Sequence, residues 1–187
     1  MMYKSEEIAQ LVLVIHNVRS AHNVGSLFRS ADGAGVKQVF LSGYSPRPAR
    51  SRQLVLSVAE KELRKTALGA EASVSWTYLR ELGRVAKRLH QDGYSIVALE
   101  QSPLSQDYRF VRGKLLATQL PLKVALLVGN EVLGLSPRAL KLADVIMELP
   151  MRGEKESLNV SVAGGIALYE LQATIEEAYA NKKRSRQ

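Results

Sequence analysis

The 187-residue chain contains no cysteine, which excludes a disulfide scaffold, a thiolate metal site and a cysteine nucleophile together. Its three histidines (His16, His22 and His90) share no metal-ligand spacing, so no metal is expected. No apolar run approaches the roughly 20 residues of a membrane span. The longest clean one, Val124 to Val128, has the length of a buried strand. The opening MMYKSEEIAQ carries acidic residues where a secretory signal is apolar, so a cytoplasmic location is expected. No Gly-x-Gly-x2-Gly follows a strand and no P-loop Lys-Ser/Thr pair occurs, which argues against a nucleotide-dependent dehydrogenase and against triphosphate binding. There is no repeat, low-complexity block or long linker. The expectation is one domain over residues 1–187, with a basic tail at 181–187.

What is present is positive charge. Twenty-six Lys and Arg against 18 Asp and Glu leave a net charge of +8, which favours a polyanion through counterion release. The surplus concentrates in two places. Arg47, Arg50 and Arg52 lie in the loop SGYSPRPARSR, where Tyr44 adds a ring able to stack on a base. Lys182, Lys183 and Arg184 lie in the tail. With Arg19, these are the candidate RNA contacts. No basic amphipathic helix with an aromatic apolar face is present, so a membrane surface is the weaker partner.

Runs rich in Val, Ile and Leu at Leu11–Ile15, Val36–Leu41, Ile96–Leu99 and Val124–Val128 read as buried parallel strands, with Val145–Leu149 as a fifth. Gly25–Ala34 and Tyr78–Gln91 read as helices between them. The spacing predicts a last helix from Ser157, as its N-cap, to Tyr179. Ser136-Pro137 reads as another helix start. Alternation of this kind predicts an α/β fold: a mostly parallel sheet with helices on both faces.

Three segments look unlike scaffold. Asn17 to Val36 follows the first strand, at the sheet end where ligands bind in open α/β folds. It carries Asn23 and Arg29, with Gly25 placed to let backbone approach a ligand. Leu127 to Ser136 runs from a strand into a turn holding Gly129, Glu131 and Gly134. Glu148 to Glu170 passes from Leu149-Pro150-Met151 through a polar loop to Ser157 and Asn159.

In order and spacing, Asn-x-Arg-x3-Asn-x-Gly-x3-Arg, Gly-Asn-Glu-x2-Gly-Leu and Pro-Met-x-Gly-x4-Ser-Leu-Asn-Val-Ser-x-Ala resemble the three motifs of SpoU/TrmH-type RNA 2′-O-methyltransferases of the SPOUT superfamily. The family's second motif usually has Gly after the Glu, where this chain has Val132. The resemblance implies a C-terminal deep trefoil knot, a homodimer with its active site near the subunit interface, and S-adenosylmethionine as cofactor. It implies a cofactor pocket lined by Gly129, Leu149 and Leu158, with Leu99, Glu100 and Met151 nearby.

The implied reaction moves a methyl group to an RNA ribose 2′-hydroxyl, with tRNA favoured over rRNA as substrate. Arg29 fixes a phosphate and stabilises the forming alkoxide; as a guanidinium it stays protonated and is no simple base. Asn23 orients Arg29 or the ribose, Glu131 anchors the active-site loops, and Ser157 and Asn159 hold the third motif and the ribose. A base-methylating SPOUT enzyme and a catalytically inactive RNA-binding or assembly factor are the alternatives.

Overall fold

A computed structural model describes residues 10–49, 55–117 and 122–184, with the side chain of Lys182 excepted; Arg50 and Arg52 fall outside these ranges. The most apolar runs form the centre of a sheet. Strand β1 (Gln10–His16) pairs on one side with β2 (Gln38–Ser42) and on the other with β6 (Lys123–Val128). β6 continues to β4 (Ser95–Leu99), then to β7 (Val145–Glu148) and the short β5 (Gln106–Asp107). β3 (Trp76–Tyr78) flanks β2 at the opposite edge. The order is β3-β2-β1-β6-β4-β7-β5 and the pairings between these strands are parallel, in keeping with the mostly parallel sheet expected from the sequence.

The central strands are hydrophobic throughout because both faces are covered. Leu11, Leu13, Ile15, Val124, Leu126 and Val128 point into a core shared with helices α1 (Ala21–Gly33), α2 (Val58–Ala67), α5 (Tyr108–Leu116) and α7 (Val160–Arg184). The intervening Val12, Val14, Ala125 and Leu127 point into a second core with α4 (Leu82–Gln91) and α6 (Pro137–Leu140). A four-residue helix, α3 (Ala70–Ser73), completes the set among the described residues.

Three local expectations are corrected. The stretch Tyr78–Gln91 is not one helix: Trp76–Tyr78 forms the edge strand, and α4 starts only at Leu82. The last helix begins at Val160 rather than Ser157 and runs on to Arg184. Its cap is Asn159, whose Oδ1 accepts from the Ser161 N–H at 2.8 Å.

Gly25 lies within α1, and its role is packing. A Cβ there would come within 2.2 Å of both the Leu63 carbonyl oxygen and Thr66 Oγ1 on α2. The glycine therefore lets α1 and α2 meet backbone to backbone; it does not face a ligand. Gly25→Ala is expected to destabilise the protein by about 1–3 kcal/mol through overpacking. Thermal denaturation reads this as a midpoint lowered by several degrees, and a midpoint unchanged within error contradicts so close a helix contact.

Gly164 and Gly165 act similarly for α7 on α1. A Cβ at Gly164 would lie 2.6 Å from Leu27, and one at Gly165 would lie 3.2 Å from Ser30.

Candidate active site at the carboxyl ends of four strands

β1, β6, β4 and β7 are neighbours, so the loops leaving their carboxyl ends converge. The loop after β6 is built by its own residues. Asn130 is buried, and its Oδ1 accepts from the N–H groups of Val132 and Leu133 at 2.9 and 2.8 Å. Gly134 closes the turn with its N–H on the Asn130 carbonyl at 3.0 Å. It has φ +62°, and a Cβ there would strike Glu100 Oε2 at 2.3 Å. Val132 stands where the family pattern has glycine, yet its φ is not in the left-handed region, so the turn does not require glycine there.

Glu131 projects from this loop onto the start of α1. Its Oε2 accepts from the Arg19 N–H at 2.9 Å, and its Oε1 accepts from the Ser20 N–H and from Asn23 Nδ2, both at 3.0 Å. Partial burial pushes its pKa up. The hydrogen bonds donated by Arg19, Asn23 and Ser20 outweigh that, and the net shift is downward.

Asn23 passes the contact on. Its Oδ1 accepts from Asn159 Nδ2 at 3.1 Å, while Asn159 caps α7. Glu131, Asn23 and Asn159 thus form one hydrogen-bonded chain through all three segments singled out in the sequence. The amide of Asn23 holds Glu131 and Asn159; neither Arg29 nor open space is its partner.

Beside this chain lies a cavity of about 350 Å³. Leu99, Glu100, Gly129, Leu149, Met151 and Leu158, the six residues assigned to a cofactor, all line it. Ser157, displaced from its expected capping role, lines it too. Glu100 is committed to structure, accepting from the N–H groups of Gln101 at 3.0 Å and Leu135 at 2.6 Å. Gly129 is obligatory for a local reason, since a Cβ would come 2.7 Å from Leu135 Cγ.

Arg29 is not part of this assembly. It is exposed on α1 and does not line the cavity, and no hydrogen bond or ion pair is found for it among the described residues. One turn further on, Gly33 lies against the hydroxyl of Tyr169 on α7, so Arg29 shares a surface with the exposed side of that helix.

Arg19 lines a separate cavity of about 550 Å³ with Tyr44, Asn130, Val132 and Leu133. Arg47 stacks on the Tyr78 ring, 4.4 Å from its centroid. Lys183 and Arg184 end a helix about 36 Å long at 1.5 Å per residue, far from the Asn159 end.

His16 escaped the sequence reading of this site, and Tyr44, read there only as a ring beside the arginine loop, also reaches it. His16 Nδ1 is 2.8 Å from Ser42 Oγ and its Nε2 accepts from Asn17 Nδ2 at 3.0 Å; burial lowers its pKa. Asn17, at φ 57°, accepts from the Tyr44 N–H at 3.2 Å. The signal available in sequence was the His16-Asn17 pair at the end of the most apolar strand.

Among the described residues, no cluster of His, Asp or Glu fit for a metal is found, and no helix is long and apolar enough to cross a membrane.

Residues 10–169 match the model of the SpoU rRNA Methylase family. A 23S rRNA (guanosine-2′-O-)-methyltransferase, RlmB, of Coxiella burnetii is 31% identical over 173 residues, covering 91% of this chain and 61% of the relative. The chain therefore spans about three fifths of that relative's length. The crystal structure of a TrmH/SpoU tRNA modifying enzyme from A. aeolicus superposes with a TM-score of 0.72 at 28% identity, covering 93% of this chain and 81% of that one. An AdoMet-bound rRNA methyltransferase from Sinorhizobium meliloti shares the fold, with a TM-score of 0.71 at 24% identity over 88% of this chain and 56% of that one.

Proposed function

Because the chain belongs to the SpoU methylase family, we propose that it transfers a methyl group from S-adenosylmethionine to a ribose 2′-hydroxyl of RNA, in the cytoplasm. The observation that carries this reading is the Glu131–Asn23–Asn159 chain, which locks the three motifs together at the rim of the 350 Å³ cavity. That volume falls in the range of about 300–1,000 Å³ for small-molecule sites. The apolar side chains of Leu99, Leu149, Met151 and Leu158 suit an adenine and thioether, and Glu156, also on the wall, suits an ammonium. Bound there, S-adenosylmethionine supplies a methyl group already activated on a sulfonium.

The protein's own contribution is to hold and to polarise. Glu131, Asn23 and Asn159 position the loops, and Ser157 faces the cavity. Arg29 anchors a substrate phosphate and stabilises the alkoxide that forms on the ribose as the 2′-hydroxyl proton passes to phosphate or water. A base-methylating enzyme has no need of an alkoxide stabiliser, and the first motif carries one.

Transfer RNA is the preferred substrate. In support, the A. aeolicus relative, 28% identical to this chain, is a tRNA modifying enzyme, and Arg47, Lys183 and Arg184 are exposed basic residues that suit the phosphates of tRNA. Incubation of the purified protein with methyl-labelled S-adenosylmethionine and either tRNA or rRNA transcripts tests both points. Labelled 2′-O-methylnucleoside after nuclease digestion is expected from tRNA. Label on a base, or binding of the donor without transfer, contradicts the reaction. Transfer to rRNA alone contradicts only the substrate.

The active unit is a homodimer. α7 buries Ala167, Leu168, Leu171 and Ile175 in its own core but leaves Val162, Ile166 and Tyr169 exposed at helical spacing. The small residues Gly164 and Gly165 are taken up by α1, so this outer stripe is the face left for a second copy. Such a seat brings Arg29, on the adjoining surface, close to the partner's cavity. Ile166→Asp is expected to convert a dimer into a folded monomer with little activity. Sedimentation equilibrium reads the mass, and a wild-type protein that is monomeric at micromolar concentration yet active contradicts the dimer.

A further inference from the structure

We propose that the cavity between the loop after β2 and the edge strand β3 receives an unpaired nucleobase flanking the methylated nucleotide, stacked on the guanidinium of Arg47. The proposal rests on the reading of RNA as substrate.

The cavity holds about 700 Å³ and is lined by Tyr44, Pro46, Arg47, Pro48, Trp76 and Tyr78, among others. Aromatic and cationic groups face each other across it, the pairing that binds single-stranded nucleic acid by stacking and charge together. Glu60, the one carboxylate on its wall among the described residues, is engaged in capping α2, accepting from the Ser57 N–H at 2.7 Å. Arg47 lies over the Tyr78 ring at 4.4 Å, and that ring is fixed because its hydroxyl donates to the Gly43 carbonyl at 2.8 Å. Arg47 itself is exposed, so a planar base extends a stack that is already two layers deep. Two prolines bracket the arginine and restrict its loop, which reduces the entropy lost when a base docks.

Position also favours RNA over any other occupant. Tyr44 lines both this cavity and the one that holds Arg19 beside the Glu131 loop. Its hydroxyl accepts from Asn130 Nδ2 at 3.1 Å, so it is tied directly to that loop. A strand leaving the active site across Tyr44 therefore arrives at Arg47 one step later. The net charge of +8 supplies the attraction for its phosphates. Bases inside an A-form duplex offer no free face to such a stack, so the site selects unpaired RNA.

Trp76 is the only tryptophan of the chain and lines this cavity, which makes its fluorescence a local reporter. The full chain is titrated at constant moderate salt with hexaadenylate and, separately, with a 12-base-pair RNA duplex. Saturable quenching by the single strand is expected, with a midpoint at least tenfold lower than for the duplex. Arg47→Ala is expected to raise the single-strand midpoint about tenfold. Arg47→Lys, which keeps the charge but loses the stacking plane, is expected to raise it severalfold. Because Arg47 is exposed, melting temperatures of both variants are expected to match the wild type.

Binding by Arg47→Lys equal to wild type overturns the stacking role and leaves a phosphate contact. Equal quenching by duplex, or no quenching, overturns the site. Methyl transfer measured in parallel separates the two claims: transfer without quenching removes only the cavity's role, and quenching without transfer removes only the proposed reaction.

Discussion

Replacing Arg29 by alanine is expected to lower methyl transfer by about 10²–10³-fold, the cost of removing one preorganised stabiliser of a developing oxyanion. The same variant is expected to bind S-adenosylmethionine and to melt as the wild type does. Both halves follow from placement. Arg29 is exposed, has no hydrogen-bond or ion-pair partner among the described residues, and stands apart from the cavity, so its loss removes neither packing nor cofactor contacts. Arg29→Lys is expected to recover only part of the rate, since lysine keeps the charge but not the fork. Single-turnover rates and calorimetric titration with S-adenosylmethionine check the two halves separately. A rate within a few-fold of wild type removes Arg29 from the reaction. If Arg29 serves the partner's cavity, mixed dimers of Arg29→Ala with a blocked-cavity variant such as Leu149→Arg recover about a quarter of wild-type activity, one sound site in half the dimers.

Glu131→Ala is expected to fail in a different way. Three donors lose their acceptor at once, two of them backbone N–H groups at the start of α1. At a partly solvated site this costs about 2 kcal/mol, or about 4–8 °C in melting temperature for a chain of this size. Activity is expected to fall at least tenfold and S-adenosylmethionine affinity to fall with it, because the loop that carries Glu131 also walls the cavity. Glu131→Gln keeps one oxygen but turns an amide N–H₂ towards a donor, so it is expected to recover little. Acid titration gives the sign independently. The Glu131 pKa is lower folded than unfolded, so its stabilisation is fully present above the ordinary glutamate value and is lost as pH falls through the lowered one. The stability gap between wild type and Glu131→Gln is therefore expected to be constant near neutrality and to close only in acid. A gap that persists undiminished at low pH contradicts the carboxylate clamp.

The sheet was legible because its central strands are apolar on both faces. Leu11–Ile15 and Val124–Val128 have no other physical reason to be so hydrophobic, and both fall inside observed strands. Edge elements were less so. Trp76–Tyr78 is three residues long and half-buried, too short for a period to show, and its last residue, Tyr78, reads as the start of the helix that follows. Helix α2 was overlooked because only Leu63 and Ala67 of it are buried; its capping box, Ser57 with Glu60, was the available sign. Glycines were the most ambiguous letters. Gly25 and Gly164 admit neighbouring helices, and nothing local to the chain distinguishes that need from room for a ligand. The six cavity residues were placed by likeness of motif, since contacts between residues 99, 129, 149 and 158 depend on strand order, which hydrophobic runs do not encode. Arg29 shows the converse limit: its motif is plain, but its separation from the cavity follows only from the turn of α1.

The place of β6 between β1 and β4 bears on how the protein is made. The neighbour that completes β1 is encoded more than a hundred residues downstream, as the pairing of Gln10 with Lys123 shows. On the ribosome, β1 and β2 emerge early with one long edge unpaired, and that edge is apolar above and below. It stays open until residues 123–128 clear the exit tunnel and slot in. Contacts this distant in sequence slow folding, and a waiting bare edge recruits other nascent chains. A chain of this topology is therefore expected to fold slowly and to gain from having its open edge covered during synthesis.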